Sequence, residues 1–314
     1  MLNRRTLIGL VTIAALLGTT SVTLAADKPY IAVICKGFKH QFWQAVKAGV
    51  EQAAKEFDVV ATFEAPATEG SVDQQVDLLQ TTLAKHPAAL GIAAIDSQAI
   101  IPALQQYKDA KIPVIAFDSG VDSDIPIASA STDNLASAAL AADKMIGLTG
   151  DSGEIGIVSF DQTSQTGIER RDGFVNQIKA KYPKITIVDI EYGDGDQLKS
   201  AEITKAMLLA HPNLKGIFGT NEGSAEGVGQ GKKEAGSNVV VIGYDSGKVQ
   251  LDMVRDGTIN GAITQNPVGI GYETVKAAVA AIKGEKVPAH VDTGFYYYDK
   301  TNIDDPKIAA DLYN

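Results

Sequence analysis

Cysteine is almost absent from this sequence of 314 residues, which contains only Cys35. A single cysteine excludes an internal disulfide. Cys35 ends the apolar stretch of residues 30–35, which we predict to be a strand, and it follows Ile34 rather than the small residue that precedes a lipid-modified cysteine. We therefore interpret Cys35 as a buried hydrophobic residue and expect no lipid anchor.

Positive charge is also scarce in the chain. Lysine and arginine number 28 against 38 aspartates and glutamates, which gives a formal net charge of −10. Residues 1–25 contain two arginines and no acidic residue, so the remainder carries −12. A chain this acidic, without a basic stripe, repels nucleic acids and anionic membranes. We expect no nucleic-acid partner.

Long apolar runs are missing beyond the N-terminus. Residues 7–17 form an apolar core too short to span a bilayer comfortably, preceded by Arg4 and Arg5 and followed by small residues. This pattern predicts a signal peptide, residues 1–25, cleaved after Ala25. Secretion by the general route fits it best, although Arg4-Arg5 also resembles a twin-arginine signal. With no later run of 18 apolar residues, we expect the mature chain to lie in the periplasm.

Motifs of catalysis and of cofactor binding are not found. The sequence has no Gly-x-Ser-x-Gly, no P-loop and no zinc-ligand spacing. Asp194-Gly195-Asp196 lacks the later ligands of a calcium loop and is interpreted as a turn with a helix cap. Of the four histidines, only His40 lies near the site predicted below. We expect no metal, no cofactor and no enzymatic activity. The alternative hypothesis is a periplasmic enzyme whose activity depends on His40.

Strand-like and helix-like segments alternate along the chain. Short apolar runs bounded by turn residues are typical of strands buried on both faces, and the segments between them have helical periodicity. This alternation predicts an α/β fold with parallel sheets covered by helices. The strands outnumber those of one average sheet, so we predict two sheets. No linker rich in proline, glycine or serine divides the chain, which indicates several crossings between them.

Two motifs occur twice at nearly the same spacing. An apolar run followed by aromatic-Asp-Ser-Gly occurs at residues 113–120 and again at 239–247. A His-Pro pair between a helix and a strand occurs at His86 and His211, and these repeats indicate two similar lobes with facing strand ends. Asp118 and Asp245 then stand at carboxyl ends of strands, where open α/β sheets bind ligands.

Polar residues follow several of the predicted strands and are expected to meet in one cleft. They are Lys36, Asp96, Asp118, Asp161, Asn221, Asp245 and Gln265. Carboxylates and amides accept and donate in fixed directions, which suits a hydroxyl-rich ligand. Phe42 and Trp43 begin the first helix beside this cleft, where an aromatic face suits a sugar ring. The alternatives are that the polar groups cap helices or bind water, and that the aromatic residues belong to the core.

Several short motifs together resemble the periplasmic binding proteins of the ribose/galactose type, the substrate-binding components of ABC importers. They are Gln41-Phe42-Trp43, residues 112–118, Thr132-Asp133-Asn134, and residues 169–174, 209–212, 218–221, 243–245 and 264–267. The resemblance covers residues 28–291. It implies the type I periplasmic binding protein fold, in which two Rossmann-like lobes, each a parallel sheet covered by helices, are joined by a three-strand hinge.

The same resemblance implies where the lobes divide and what the site residues do. The N-terminal lobe would comprise residues 27–132 plus 266–290, and the C-terminal lobe 133–265 plus 291–314, with crossovers near Thr132, Gln265 and Val291. Phe42 and Trp43 would flank a sugar ring, and Arg170 would reach the ligand from the second lobe. Ligand hydroxyls would be bound by four residues: Asp118, Asn221, Asp245 and Gln265.

Some positions depart from the ribose-binding pattern. Ser119 stands where that pattern has an arginine, and Ala93 where it has an asparagine, a role that Asp96 could take. Lys36 and His40 replace smaller polar groups. We therefore expect a pocket that is not built for ribose. Lys36 either neutralises a nearby aspartate or meets an acidic or unusual ligand, such as a furanosyl signal molecule or a modified pentose.

The ligand and partners implied by the resemblance are those of an importer. We expect a monomer that captures a sugar, sugar derivative or polyol by lobe closure and delivers it to the membrane permease subunits of an ABC transporter. A chemoreceptor is a possible second partner, and a periplasmic receptor component is the alternative function. DNA-binding repressors share the two-lobed core, but they need a basic N-terminal helix-turn-helix, which the apolar residues 1–25 do not supply.

Overall fold

The computed structural model describes residues 28–313 of the chain. The predicted signal peptide lies outside the described residues. Within them the chain forms two six-stranded sheets, with strands and helices numbered along the sequence. The first sheet consists of β1 (Tyr30–Ile34), β2 (Val60–Glu64), β3 (Ala89–Ile92), β4 (Val114–Phe117), β5 (Ala128–Ser131) and β11 (His290–Asp292). Its spatial order is β11-β5-β4-β3-β1-β2, with every pairing parallel.

The second sheet repeats the order of the first. It consists of β6 (Gly153–Ser159), β7 (Ile185–Tyr192), β8 (Leu214–Gly219), β9 (Val240–Tyr244), β10 (Gly261–Gln265) and β12 (Phe295–Tyr298). Its spatial order is β12-β10-β9-β8-β6-β7, and only the β10–β12 pairing is antiparallel. The matching orders confirm the two similar lobes that the repeated motifs predicted.

Helices connect successive strands in both lobes. They are α1 (Gln41–Glu56), α2 (Val72–Leu83), α3 (Ile101–Asp109), α4 (Asn134–Thr149), α5 (Gln165–Lys181), α6 (Gln197–Ala210), α7 (Glu222–Glu234), α8 (Lys248–Asp256), α9 (Pro267–Ile282) and α10 (Pro306–Ala309). None of these helices between residues 28 and 313 is both long and apolar enough to cross a bilayer.

Each sheet is covered on both faces. In the first lobe, Ile31 and Val33 pack in a core with α1 and α9, whereas Ala32 and Ile34 pack in a second core with α2 and α3. This division follows from the strand geometry, which sends successive side chains to opposite faces. In the second lobe, α4 and α5 cover one face and α7 and α8 the other. The predicted α/β class, with two sheets covered by helices, is confirmed.

The chain crosses between the two sheets three times. The first two crossovers follow β5 and β10, as expected near Thr132 and Gln265. The third follows β11, because His290–Asp292 pairs with residues 129–131 of β5. The first sheet therefore extends two residues beyond the boundary expected after residue 290. The pairing rests on backbone hydrogen bonds such as Thr293 N to Ser131 O (3.0 Å), which a side-chain pattern does not reveal.

Candidate functional site

A cavity lies between the lobes, at the carboxyl ends of both sheets. Its lining consists of Lys36, His40, Phe42, Trp43, Glu69, Asp118, Phe160, Arg170, Asn221, Asp245 and Gln265. Of the eleven residues that the sequence placed at or near the cleft, all but Asp96 and Asp161 are in this lining.

Asp96 and Asp161 are the expected residues that the structure does not bring into the cavity lining. For Asp96 the reason is a local turn. Its Oδ1 accepts hydrogen bonds from the backbone N–H groups of Gln98 (2.9 Å) and Ala99 (2.8 Å), just before α3. Asp161 is held in the same way at the start of α5, by the N–H groups of Thr163 and Ser164. An aspartate readily accepts hydrogen bonds from backbone N–H groups two and three residues later, and both carboxylates are held by the turns that precede α3 and α5.

Asp118 and Asp245 occupy equivalent positions in the two lobes. Both have positive backbone φ angles, 53° and 78°, a backbone conformation that residues other than glycine rarely adopt. Each backbone N–H bonds to the neighbouring strand, Asp118 to Ala130 O (2.9 Å) and Asp245 to Ile263 O (2.6 Å). The aromatic-Asp-Ser-Gly repeat therefore corresponds to a repeated turn that carries a carboxylate into the cavity.

Cationic groups surround Asp118. The Nζ of Lys36 is 3.3 Å from Asp118 Oδ2 and donates to Thr166 Oγ1 of the opposite lobe at 3.0 Å. Arg170 approaches Asp118 Oδ1 at 4.0 Å, and its guanidinium lies 3.8 Å from the ring centre of Tyr244. Lys36 therefore neutralises an aspartate of the site, which was the first of the two roles that the sequence left open.

The carboxylate of Asp245 is held by two donors. Gln265 Nε2 donates to Oδ1 at 2.7 Å, and the backbone N–H of Glu222 donates to Oδ2 at 2.9 Å. Thr132 in turn donates to Gln265 Oε1 at 2.8 Å, so two of the crossovers are joined beside the site. Burial raises the pKa of Asp245, although the nearby Arg170 charge opposes that rise.

Glu69 lines the cavity and was not expected from the sequence. It accepts hydrogen bonds from Trp43 Nε1 (2.5 Å) and from His40 Nδ1 (3.1 Å). Burial disfavours charge on both partners, but their mutual attraction outweighs it, raising the pKa of His40 to about 9 and lowering that of Glu69 to about 2. Glu69 lies five residues after β2, so it does not occupy a strand-end position that would identify it as a site residue. The only signal in the sequence was that its loop follows a strand and therefore lies at the same edge of the sheet as the other site residues.

Phe42 and Trp43 lie both beside the cavity and in the core of the first lobe. They line the cavity, yet they are only 4% and 2% exposed and belong to the core between β1 and α1. Their rings meet edge to face with centres 4.9 Å apart. Phe160, which the sequence did not single out, comes directly after β6 and lies 5.0 Å from Lys36 Nζ. The cavity therefore has apolar walls beside its charged groups.

The charges of the lining are balanced. Lys36, His40 and Arg170 supply three cationic groups, and Glu69, Asp118 and Asp245 supply three carboxylates. Such a lining gives directional donors and acceptors without net charge, which suits a neutral hydroxylated ligand. Within residues 28–313, no group of three or more histidine, cysteine or acidic side chains is placed to hold a metal ion.

The two lobes are closed over the cavity. Lys39 Nζ contacts Asp196 Oδ2 across the cleft at 2.7 Å, and His40 Nε2 donates to Gly195 O at 3.1 Å. A backbone hydrogen bond of 3.1 Å joins Ser97 N to Thr163 O. The cavity is thus enclosed by residues of both lobes, which is the geometry expected of a ligand held between two closing bodies.

The fold and the site together define a two-lobed solute-binding protein. Residues 31–286 match the family model described as periplasmic binding protein domain, and the chain belongs to that family. The resemblance drawn from the sequence motifs is thereby confirmed.

Similar proteins are sugar-binding components of importers. The D-allose-binding periplasmic protein of Escherichia coli K12 is 29% identical, over 88% of this chain and 91% of that protein. The ribose import binding protein RbsB of Salmonella typhimurium is 27% identical, over 92% and 96%. An Agrobacterium vitis ABC transporter solute-binding protein, solved with D-fucose, is 33% identical with a TM-score of 0.88, over 90% of this chain and 100% of that one. A carbohydrate transporter solute-binding protein of Agrobacterium radiobacter, in complex with D-arabinose, gives 33% identity and a TM-score of 0.88, over 92% and 99%.

Proposed function

We propose that this protein captures a neutral monosaccharide or polyol in the cavity between its lobes and delivers it to the membrane permease of an ABC importer. The proposal rests mainly on the cavity lining, in which three cationic and three acidic side chains balance one another beside aromatic walls. An acidic sugar would leave its own charge unpaired in this lining, and burying an unpaired charge is costly. The sugar-binding relatives support the same assignment.

The family supports a periplasmic location and a permease partner, and we add the monomeric state as part of the proposal. We place the mature protein in the periplasm, as a monomer that meets the permease when its lobes are closed. Enzymatic turnover by His40 is not supported by the geometry, because both ring nitrogens are engaged, with Glu69 and with Gly195 O. A pKa of about 9 keeps this imidazole protonated at neutral pH, which removes it as a general base.

Thermal shift and calorimetry with a panel of sugars test the proposal. The panel contains D-allose, D-ribose, D-fucose, D-arabinose, D-tagatose and xylitol, with D-glucuronate and D-galacturonate as charged counterparts. We expect at least one neutral compound to raise the melting temperature through ligand linkage and to bind with a micromolar or lower Kd, and the acids to have no effect. A response to the acids alone, or to no compound, would contradict the proposal.

A further inference from the structure

Helix α1, which carries two aromatic residues of the cavity, begins without a cap from its own lobe. Its N-cap residue is His40, whose side chain makes no capping hydrogen bond, and the first turn contains no acidic residue. The backbone N–H groups of Gln41 and Phe42 therefore need acceptors from elsewhere, since the first N–H groups of a helix have no partner within it.

The acceptor comes from the opposite lobe. Glu222, the first residue of α7, places one carboxylate oxygen 2.9 Å from Gln41 N and the other 3.0 Å from Phe42 N. Its side chain is almost completely buried, with the residue 5% exposed. A carboxylate is the favoured partner for the positive end of a helix. Because α1 and α7 belong to different lobes, this contact exists only when the cleft is closed.

A second cap runs in the opposite direction. Helix α8 of the second lobe follows Gly247, which has no side chain to cap it. Gln41 of the first lobe supplies the acceptor instead, with its Oε1 2.5 Å from the backbone N of Lys248. Each lobe thus provides the missing helix cap of the other. We call Glu222 and Gln41 the exchanged caps.

The exchanged caps connect directly to the ligand cavity without lining it. The backbone N–H of Glu222 donates to Asp245 Oδ2, and its carboxylate accepts from Phe42 N; Asp245 and Phe42 are both cavity residues. Neither Glu222 nor Gln41 is in the lining. Closing the cleft therefore brings together the two ligand-binding elements and completes both helix ends in one step.

We propose that Glu222 and Gln41 are positioning residues that set ligand affinity by stabilising the closed arrangement of the lobes, without contacting the ligand. This inference rests on the proposed function in one respect, since the change in Kd can be measured only with a sugar that binds. A protein whose closed form is less populated binds its ligand more weakly by the same factor. The caps therefore act on the equilibrium between open and closed forms, and through it on the rate of ligand release.

Glu222→Gln and Gln41→Ala test the inference, with Asp305→Asn as the control. The glutamine amide keeps one acceptor but turns an NH₂ group toward the helix end, and the control removes one charge from a helix cap within a single lobe, where Asp305 accepts from Lys307 N. The probe is whichever of D-allose, D-fucose and D-arabinose binds the unmodified protein most tightly. We expect Kd to rise about ten-fold for Glu222→Gln and about three-fold for Gln41→Ala, with faster release, and to stay unchanged for the control.

A distance measurement without ligand separates this role from a purely structural one. Spin labels on cysteines introduced at the exposed positions Gln106 and Lys233, one in each lobe, report opening. We expect Glu222→Gln and Gln41→Ala to shift the label distances toward longer values at unchanged melting temperature. Unchanged distances in both variants would overturn the inference, even with weakened binding. If Glu222→Gln does not fold, the test uses Gln41→Ala alone. If no sugar binds the unmodified protein, the proposed function is wrong, but the label distances still test the role of the exchanged caps.

Discussion

Two aspartates illustrate how single residues carry the site. Asp118 and Asp245 hold positive φ angles that cost energy in a residue with a side chain, and such strain persists where surrounding contacts enforce it. In both lobes the backbone N–H after the strand bonds to the next strand, which enforces the turn. The strained turn directs each carboxylate into the cavity, where hydroxyl groups of a ligand can donate to it.

Replacing these aspartates tests their role in binding. We expect Asp118→Ala and Asp245→Ala each to weaken binding by about 2 kcal/mol, roughly a 30-fold rise in Kd, because each leaves a buried partner such as Lys36 or Gln265 without its acceptor. Calorimetry with the tightest sugar of the panel measures the change. Asp96→Ala is the matched comparison, since Asp96 also follows a strand but is held by the turn before α3; an equal loss in that variant would contradict the placement of the site.

The buried pair of His40 and Glu69 predicts a pH dependence. The pKa of His40 is raised from 6.5 to about 9, so its contribution to stability is complete below pH 6.5 and is lost as pH rises through 9. The pKa of Glu69 is lowered from 4.5 to about 2, so its contribution is complete above pH 4.5 and is lost as pH falls toward 2. The pair therefore stabilises the fold most between about pH 4.5 and 6.5.

Glu69→Gln removes this pair. We expect the variant to lose about 3 kcal/mol of unfolding free energy between pH 4.5 and 6.5, the scale of breaking a buried ion pair, and the difference to shrink above pH 9. Chemical denaturation across this pH range measures it. A difference that stays constant from pH 5 to 10 would show that His40 is not charged in the folded protein.

At the scale of elements, two glycines determine how α1 and α9 pack. A Cβ on Gly49 would lie 2.0 Å from Val268 O, and one on Gly271 would lie 2.0 Å from Val46 O. The helices therefore cross with their backbones in contact, and α9 brings the chain back to the first lobe after its second crossover. The position of α1, and with it of Phe42 and Trp43, depends on this crossing.

A methyl group at the crossing should separate the helices. We expect Gly271→Ala to lower the unfolding free energy by about 1–3 kcal/mol, because the clash is with backbone that cannot rotate away. Gly147→Ala is the control, since Gly147 lies in α4 with no atom within 4 Å of its added Cβ, and it should raise stability by up to about 1 kcal/mol through helix propensity. Thermal melts of both variants measure this; equal effects would refute the close-contact explanation.

At the scale of the whole molecule, every contact described across the cleft belongs to the closed form. These contacts include the two exchanged caps, the Lys39–Asp196 ion pair and the Ser97–Thr163 backbone hydrogen bond. Thr132 and Gln265 lie at two of the three crossovers and are hydrogen-bonded to each other, so rotation about this region changes the surroundings of Asp245 directly. A rotation of the lobes about this region would therefore move residues that line the cavity.

Small-angle scattering tests this coupling. We expect the radius of gyration to fall when the tightest sugar of the panel is added, because hinge closure around a ligand makes the molecule more compact. A sugar acid that does not bind provides the control and should leave the profile unchanged. Identical profiles with and without a binding sugar would mean that the ligand enters a rigid protein.

Local patterns predicted the two lobes and most residues of the cavity lining, because strands and the positions at their ends can be recognised from short-range periodicity. The spatial order of the strands came only from the structure. Lys36, Asp118 and Asp245 stand directly after a predicted strand, Asn221 stands two residues after one, and the carboxyl ends of parallel strands meet at one edge. Asp96 and Asp161 share that pattern but are held by backbone N–H groups two or three residues later. The pattern alone does not distinguish these two outcomes.

What the sequence by itself determined was therefore the α/β class, the twofold repetition and the carboxylates that end its strands. Only the tertiary structure decided that Glu69 holds His40 and Trp43, that Lys36 pairs with Asp118, and that Glu222 caps a helix of the other lobe. Those contacts join residues separated by 26 to 181 positions. Their partners are chosen by how the two lobes meet in space, and no local periodicity carries that information.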